Sequence, residues 1–323
     1  MNRGVPQGSI LGPLLFLIYI NDIKKSIVHG SVKLFADDTT IFYKGTKMGD
    51  IQHLIEEDLT NIGNWLCFNK LAVNVSKSNY MVICSRQRYQ SLPVQHLDIR
   101  LLGLPIVKTT KFKYLGVVLD ETLSWKYHIE TLCASLSHLI NIFAKARYVV
   151  PRSIMKMLYF AMFHSRLQYC IESWGSADPS VLLPLIIMQK KIMRIIMFKG
   201  FTDHTADLFK TLEILSVSQE HSLRTLLIVY NELYCKGHSN YGFVKLNHPH
   251  STRQRARGQL DLRSSSHGFE AKTNYAFRSI LYKGSQLFNT LPQYIGNSKT
   301  KLSFKKRCKA WLLGLSSNCS SMH

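Results

Sequence analysis

The segment LFADDTTIF, Leu34 to Phe42, places two adjacent carboxylates, Asp37 and Asp38, between β-prone apolar flanks. The surrounding stretch, Val32 to Phe42, reads as two β-rich halves around a polar centre, which predicts a tight hairpin with both acids at its tip. Neighbouring carboxylates repel one another, so the arrangement is costly without a compensating cation. Mg²⁺ suits such a pair, because it prefers hard oxygen ligands and takes few of them from protein. Two-metal phosphoryl transfer uses carboxylates of this kind to hold ions against the attacking and leaving oxygens. Taken alone, the pair also fits an ordinary turn, where aspartates are common.

Upstream, GVPQGSILGPLLFLIYINDI runs from Gly4 to Ile23 as a glycine-bearing polar loop leading into an apolar segment. Gly4, Gly8 and Ser9 lack bulky side chains, so a nucleotide or template strand can approach the backbone closely. Gln7 carries both donor and acceptor groups for a base or sugar edge. Leu14 to Ile23 predicts a buried helix that Pro13 starts, since proline is tolerated in the first helical turn. The apolar run Ile10 to Ile20 imitates a signal peptide. Against that reading stand the Gly12-Pro13 interruption, the polar residues before the run, and Asn21-Asp22 after it. The run is also too short to span a bilayer, so no membrane partner is expected.

Downstream, Ile51 to Cys67 has helical spacing (Ile51, Leu54, Ile55, Leu59, Ile62, Leu66), and Tyr80 to Cys84 and Phe112 to Leu119 predict strands. From about Tyr127 the pattern changes to long amphipathic helices at Tyr127 to Val149, Arg152 to Ser173, Val181 to Met197 and Val217 to Tyr234, punctuated by Pro151 and Gly175. With 46% hydrophobic and 19% charged residues, the chain can build a core, which excludes wholesale disorder. Its net charge of +21 favours polyanion partners, either nucleic acid or an anionic membrane surface. Lys245 to Lys309 holds fourteen Lys or Arg against Asp261 and Glu270, over half of that excess, with aromatics such as Tyr275, Phe288, Tyr294 and Phe304 interleaved. This mixture suits phosphate contact with base stacking, and equally a small aromatic core under a solvated basic face. Seven scattered cysteines without a C-x-x-C pair suggest neither a disulfide framework nor a zinc ribbon, and a reducing intracellular compartment, nucleus or cytoplasm, fits them best.

The loop, helix and acidic hairpin together resemble the palm of reverse transcriptases from non-long-terminal-repeat (LINE-type, jockey-like) retrotransposons. GVPQGSILGP resembles their motif B, and Phe35-Ala36-Asp37-Asp38 their aromatic-x-Asp-Asp motif C. WLCFNKLAVNVSKS, beginning at Trp65, resembles motif D, with Asn69, Leu71, Asn74 and Lys77 in place, and FKYLGVVLD, Phe112 to Asp120, resembles the primer-grip hairpin of motif E. Group II intron and telomerase relatives share the acidic hairpin, but the Ser-Ile-Leu-Gly-Pro continuation points to the retrotransposon branch. Weaker likenesses follow in YFAMFHSRLQYCIESWG, MQKKIMRIIM and LFKTLEILSV, which resemble the thumb and the region beyond the polymerase.

The resemblance implies an α+β fold. A partial palm of small antiparallel sheet and helices would cover 1–125, a helical thumb or connection 126–240, and a basic C-terminal region 241–323. It implies an RNA-directed DNA polymerase working with an RNA template, a DNA primer, deoxynucleoside triphosphates and Mg²⁺. Asp37 and Asp38 would be the catalytic metal ligands. Gln7, Gly8, Ser9 and Phe35 would border the nucleotide and template, with filling of the hairpin core as the alternative for Phe35. Lys77 would protonate the pyrophosphate leaving group, or stand as a solvated loop lysine. Tyr114, Leu115 and Gly116 would position the primer end. In the family, a strand before motif B supplies another catalytic aspartate and the fingers grip the triphosphate. The sequence opens three residues before Gly4, and Asp22, Asp50, Asp58, Asp98 and Asp120 do not fall on the strand that the family uses. The expectation is therefore a segment that does not complete the site and is inactive alone. The alternative is a non-catalytic basic protein that holds nucleic acid.

Overall fold

The computed structural model describes residues 8–91, 96–234, 243 and 279–314. They fold as a mixture of helices and small sheets, in agreement with an α+β class. The chain divides into two compact units: one reaches to Tyr114 and includes Leu119–Leu123, and the other comprises Leu115–Val118 and what is described from Ser124 onward.

In the first unit, helix α1 (Leu11–Ile20) passes into a 3₁₀ turn (Asn21–Ser26), and the hairpin of β1 (Ser31–Phe35) and β2 (Asp38–Phe42) follows. Helix α2 (Met48–Phe68) comes next and buries Ile55, Asp58, Ile62 and Leu66 along one face. Its end is held by a six-to-one bond from Leu71 N–H to Leu66 O (3.0 Å) and by Lys70 N–H to Cys67 O (3.1 Å). Lys70 takes the left-handed conformation (φ +54°) that this closing motif requires, and Leu71 packs in the same cluster as Leu66. The expected strand at Tyr80 to Cys84 is shorter than predicted: only β3 (Asn79–Tyr80) forms, parallel to β6 (Val107–Lys108). Between them lie α3 (Arg86–Ser91) and a small hairpin of β4 (Arg100–Leu101) and β5 (Leu104–Pro105).

Helix α1 contradicts the expectation of burial. Ile20 is the residue it buries, whereas Leu11, Leu14, Leu15, Leu17, Ile18 (65%) and Tyr19 stand exposed. The segment is apolar all round, and such a helix is normally covered on every side. Only the flank bearing Phe16 and Ile20 finds a cluster, with Ile23, Leu34, Ile41, Ile62 and Leu66.

β7 (Lys111–Tyr114) and β8 (Val117–Asp120) form the predicted hairpin at Phe112 to Leu119. The second unit then follows as α4 (Lys126–Ala146), α5 (Arg152–Leu158), a π-helical segment (Tyr159–His164), α6 (Ser165–Leu167), α7 (Ile171–Trp174), α8 (Pro179–Ile196), α9 (Ala206–Leu212), α10 (Val217–Tyr234), α11 (Ile280–Thr290), α12 (Gln293–Gly296) and α13 (Lys301–Leu312). The single helix predicted from Arg152 to Ser173 is interrupted, because Cys170 adopts φ +51° and ends the run before α7. One core joins α4, the π-helical segment, α7 and α8 through Leu136, Leu139, Tyr159, Phe163, Trp174, Leu185 and Ile192, with Met155 of α5 and Leu208 and Leu212 of α9. A second joins α10 to α11 and α13 through Leu226, Tyr230, Phe288, Phe304 and Cys308. Gln189 links the buried polar groups of the first core: its amide donates to Tyr159 Oη (2.8 Å) and Leu215 O (2.9 Å), and its carbonyl accepts from Val217 N–H (3.1 Å). Most of the basic stretch Lys245 to Lys309 lies outside the described residues.

The left-handed lysine gives a direct test. Lys70→Gly removes the Cβ strain at that position and is expected to stabilise the first unit by about 1 kcal/mol. A rise in its urea midpoint checks this.

Candidate active site

The hairpin puts the two acids where the sequence indicated. Phe35 and Asp38 are the last cross-strand pair, which leaves Ala36 and Asp37 as a two-residue turn with Ala36 at φ +51°. A positive φ at the first central residue matches the twist of the flanking strands. Both acids are exposed. Along the strands, Val32 and Leu34 alternate with exposed Ser31, Lys33 and Phe35. Phe35 is therefore 61% exposed on the outer face beside Asp38, and Leu34 and Ile41, not Phe35, fill the hairpin's inner face. The hairpin is a two-stranded sheet, with both outer edges unpaired by other strands among the described residues.

The base of the hairpin is fixed by a residue that the sequence reading passed over. Asp58, fully buried on α2, accepts hydrogen bonds from the backbone N–H groups of Val28 (2.8 Å), His29 (3.2 Å) and Gly30 (2.8 Å), and from Tyr43 Oη (3.0 Å). One carboxylate thus ties the chain entering β1 to the chain leaving β2. Burial pushes the Asp58 pKa up, but the three backbone donors and the tyrosine overcome it and hold the carboxyl below its usual range. Burial and the neighbouring carboxylate push the Tyr43 hydroxyl up. Gly30 has no alternative here, because a Cβ would lie 2.5 Å from Ile41 Cγ2 and 2.9 Å from the Tyr43 ring. The signal for Asp58 was present: it falls on the stripe Ile55, Ile62 and Leu66, where an acid is unexpected unless paired.

The other predicted residues are distributed as follows. Gln7 lies outside the described residues. Gly8 is exposed with φ +84°, and Ser9 Oγ accepts from Gly12 N–H (3.1 Å), so that serine caps α1. The contacts that bring α1 to the hairpin come from Phe16 and Ile20, further along the helix than Gly8 and Ser9. Lys77 ends a 3₁₀ turn and is exposed; its own N–H donates to Asn74 O (3.1 Å). Tyr114 ends β7, and Leu115 (φ +44°) and Gly116 (φ +84°) form the turn before β8. Within the second unit, Tyr169 Oη donates to Leu115 O (2.6 Å), and a Cβ on Gly116 would sit 3.1 Å from the Tyr169 ring. His128 on α4 accepts from Val118 N–H (3.4 Å), and burial pushes its pKa down.

The donor chemistry of Asp37 and Asp38 fits a hard divalent cation, but they supply only part of a ligand set. Among the described residues no group of three or more His, Cys, Asp or Glu is placed to hold a metal. Other acids are engaged elsewhere: Asp22 with Lys25 (3.0 Å), Asp98 with Arg100 (3.2 Å), and Asp120 with Thr122 N–H (3.0 Å) and Oγ1 (2.7 Å). The described cysteines (Cys67, Cys84, Cys133, Cys170, Cys308) are free thiols. No helix of the described residues is long and apolar enough to cross a membrane.

Comparison with known proteins gives the stretch that holds this hairpin a family likeness. The family described as reverse transcriptase (RNA-dependent DNA polymerase) matches residues 1–119. Over that stretch the chain is similar to reverse transcriptases of the jockey-like kind. It is 26% identical over 233 residues to the probable RNA-directed DNA polymerase from transposon X-element of Drosophila melanogaster, covering 68% of this chain and 25% of that protein. It is also 26% identical over 204 residues to the RNA-directed DNA polymerase from mobile element jockey of Drosophila funebris, covering 60% and 22%. A third likeness, 22% over 181 residues, is to a Pol polyprotein from the type-1 retrotransposable element R1 2 of Nasonia vitripennis, covering 53% and 43%. The chain spans about a quarter of the length of the first of these relatives. No solved structure matches it. The reverse-transcriptase match includes Asp37, Asp38 and Lys77 and ends one residue short of Asp120.

Three outcomes test the supports of this segment. Asp58→Ala leaves three N–H donors without their charged acceptor and is expected to cost about 3 kcal/mol, making the Val28 and Gly30 amides exchange roughly a hundredfold faster. Because the folded pKa of Asp58 is depressed, its contribution is complete above the unfolded value of about 3.9 and disappears as pH falls through the lower folded value. The difference between wild type and Asp58→Asn should therefore shrink on acidification below that point and stay constant from there to neutrality. Gly116→Ala, which places a side chain at positive φ against Tyr169, is expected to cost about 1–2 kcal/mol in thermal or urea unfolding of the second unit.

Proposed function

We propose that this chain is the motif B to motif E palm segment and the adjoining helical thumb of an RNA-directed DNA polymerase. The observation that carries this reading is the pair Asp37 and Asp38 at the exposed tip of a two-residue hairpin whose base is pinned by a buried carboxylate. A pinned base lets two mutually repelling acids be presented together without the strands parting to relieve the repulsion. Asp37 and Asp38 would hold Mg²⁺, which when bound neutralises charge on the phosphoryl oxygens.

The rest of the chemistry belongs to side chains and backbone of this chain. Gly8 and Ser9, with Gln7 before them, offer a small-residue approach for template and nucleotide. Phe35, exposed beside Asp38, offers an apolar face to the incoming base or sugar. Lys77, exposed, carries a proton that can pass to a leaving pyrophosphate oxygen. Tyr114, Leu115 and Gly116 form a tight hairpin turn, firm enough to set a primer end. The substrates on this reading are an RNA template, a DNA primer and deoxynucleoside triphosphates. The absence of a third metal-binding side chain beside Asp37 and Asp38 among the described residues favours a second reading, nucleic-acid binding without catalysis by this chain alone.

Iron-directed cleavage separates the two readings without requiring turnover. With Fe²⁺ in place of Mg²⁺ and a peroxide source, the first reading predicts backbone scission near residues 35–40, suppressed by excess Mg²⁺ and lost in Asp37→Ala/Asp38→Ala. Scission that ignores both substitutions overturns the metal-centre assignment. For chemistry, the polymerase of the jockey element can carry this chain in place of its own matching segment. Primer extension on an RNA template should then fall at least about a hundredfold in Asp37→Ala.

A further inference from the structure

Between β3 and β6, the helix α3 reads Arg86-Gln87-Arg88-Tyr89-Gln90-Ser91. Of all serines and threonines in the chain, Ser91 alone has arginine both three and five residues before it. A chain with a net charge of +21 puts single cations near many hydroxyls, so one arginine near a serine means little, but this double spacing occurs once. Side chains alternate along an extended chain, so positions 86 and 88 then fall on one side. Two guanidinium groups spaced in this way suit a cleft lined with carboxylates that takes its substrate extended.

The structure leaves this segment able to be taken up in that form. α3 has six residues, and a helix so short is marginal in the absence of packing. Gln87, Arg88, Gln90 and Ser91 are exposed, and Tyr89 is half-buried. Polar ties hold the helix. Lys108 Nζ donates to Tyr89 Oη (2.7 Å), Arg88 N–H to Ser85 Oγ (3.3 Å), and the Arg88 guanidinium to Thr46 O (2.8 Å). Unwinding α3 therefore uncovers little apolar surface.

A phosphate at Ser91 has a structural consequence at this place. The Ser91 hydroxyl donates to Arg88 O (2.8 Å). A phosphate ester carries about −1.5 to −2 charge at neutral pH and has largely lost any proton to donate, so it repels that carbonyl. Residues three apart on a helix are neighbours, which puts Arg88 within reach of the new group. Its guanidinium would exchange a neutral acceptor, Thr46 O, for a charged one, and charge-assisted bonds of this kind are roughly twice as strong. Thr46 lies in the connection between β2 and α2, just beyond the Tyr43 that bonds Asp58.

We propose that Ser91 is a phosphorylation site for an arginine-directed protein serine kinase, and that its phosphate draws Arg88 off Thr46 and frees the connection between β2 and α2. In the transfer, Ser91 Oγ bonds the γ-phosphorus of a nucleoside triphosphate as the bond from that phosphorus to the β,γ-bridging oxygen breaks. The nucleoside diphosphate leaves, and the hydroxyl proton passes to a carboxylate of the kinase. The inference goes beyond the polymerase reading and does not depend on it.

The test incubates the full chain with an arginine-directed serine kinase, Mg²⁺ and ATP, and locates phosphate by peptide mass spectrometry. Phosphate is expected on Ser91 and should be lost from that peptide in Ser91→Ala. Arg86→Gln and Arg88→Gln should each lower the kinase's kcat/KM for this chain roughly tenfold, the loss of one charged contact. In hydrogen exchange, phosphorylation should speed the Thr46 and Lys47 amides by about three- to tenfold, the loss of one neutral hydrogen bond. Arg88→Gln without phosphate should reproduce that rise. The proposal is overturned if wild type takes up no phosphate, if Ser91→Ala takes up as much as wild type, or if phosphate on Ser91 leaves those amides as protected as before.

Discussion

The acidic hairpin depends on the Asp58 carboxylate. An antiparallel pair of five-residue strands is marginal on its own, and this one carries two like charges at its tip. What keeps the strand ends together is a buried acceptor on α2 reaching three consecutive backbone donors before β1 and a tyrosine hydroxyl after β2. Gly30 is the steric counterpart of that electrostatic tie, because the hairpin closes over it at a distance that no side chain allows. The helix that follows the acidic pair in sequence is thereby the scaffold that sets its geometry.

Much of this was legible from the residues. The hairpin was visible because β-prone flanks around two turn-forming acids leave few other conformations, and the observed strands fall within a residue of the expected ones. Helix α10 matches its predicted span, Val217 to Tyr234, because its apolar spacing is unbroken. The break at Cys170 was not legible, since a left-handed cysteine has no local sequence signal. Tyr80 to Cys84 looked like a longer strand because apolar content indicates burial more readily than pairing.

For the candidate site, Asp37, Asp38 and the Leu115–Gly116 turn could be placed from sequence, whereas Asp58 could not be assigned a role. A lone acid on a helix usually faces water, and only its position on the stripe through Ile55 and Ile62 indicates otherwise. The exposure of α1 was also missed. Apolar composition predicts that a helix seeks cover; it does not say which part of a protein supplies that cover. The described residues provide it along one flank. A relative roughly three times as long as this chain gives the matching segment far more polypeptide to pack against.

The most direct measurement is paramagnetic broadening of backbone amide resonances on titration with Mn²⁺, compared between wild type and Asp58→Ala. A polymerase-derived metal centre held by its buried tie predicts that Ala36, Asp37 and Asp38 broaden first, and that this selectivity is lost when the tie is cut. Broadening that starts at other carboxylates while the hairpin tip stays sharp would contradict the account.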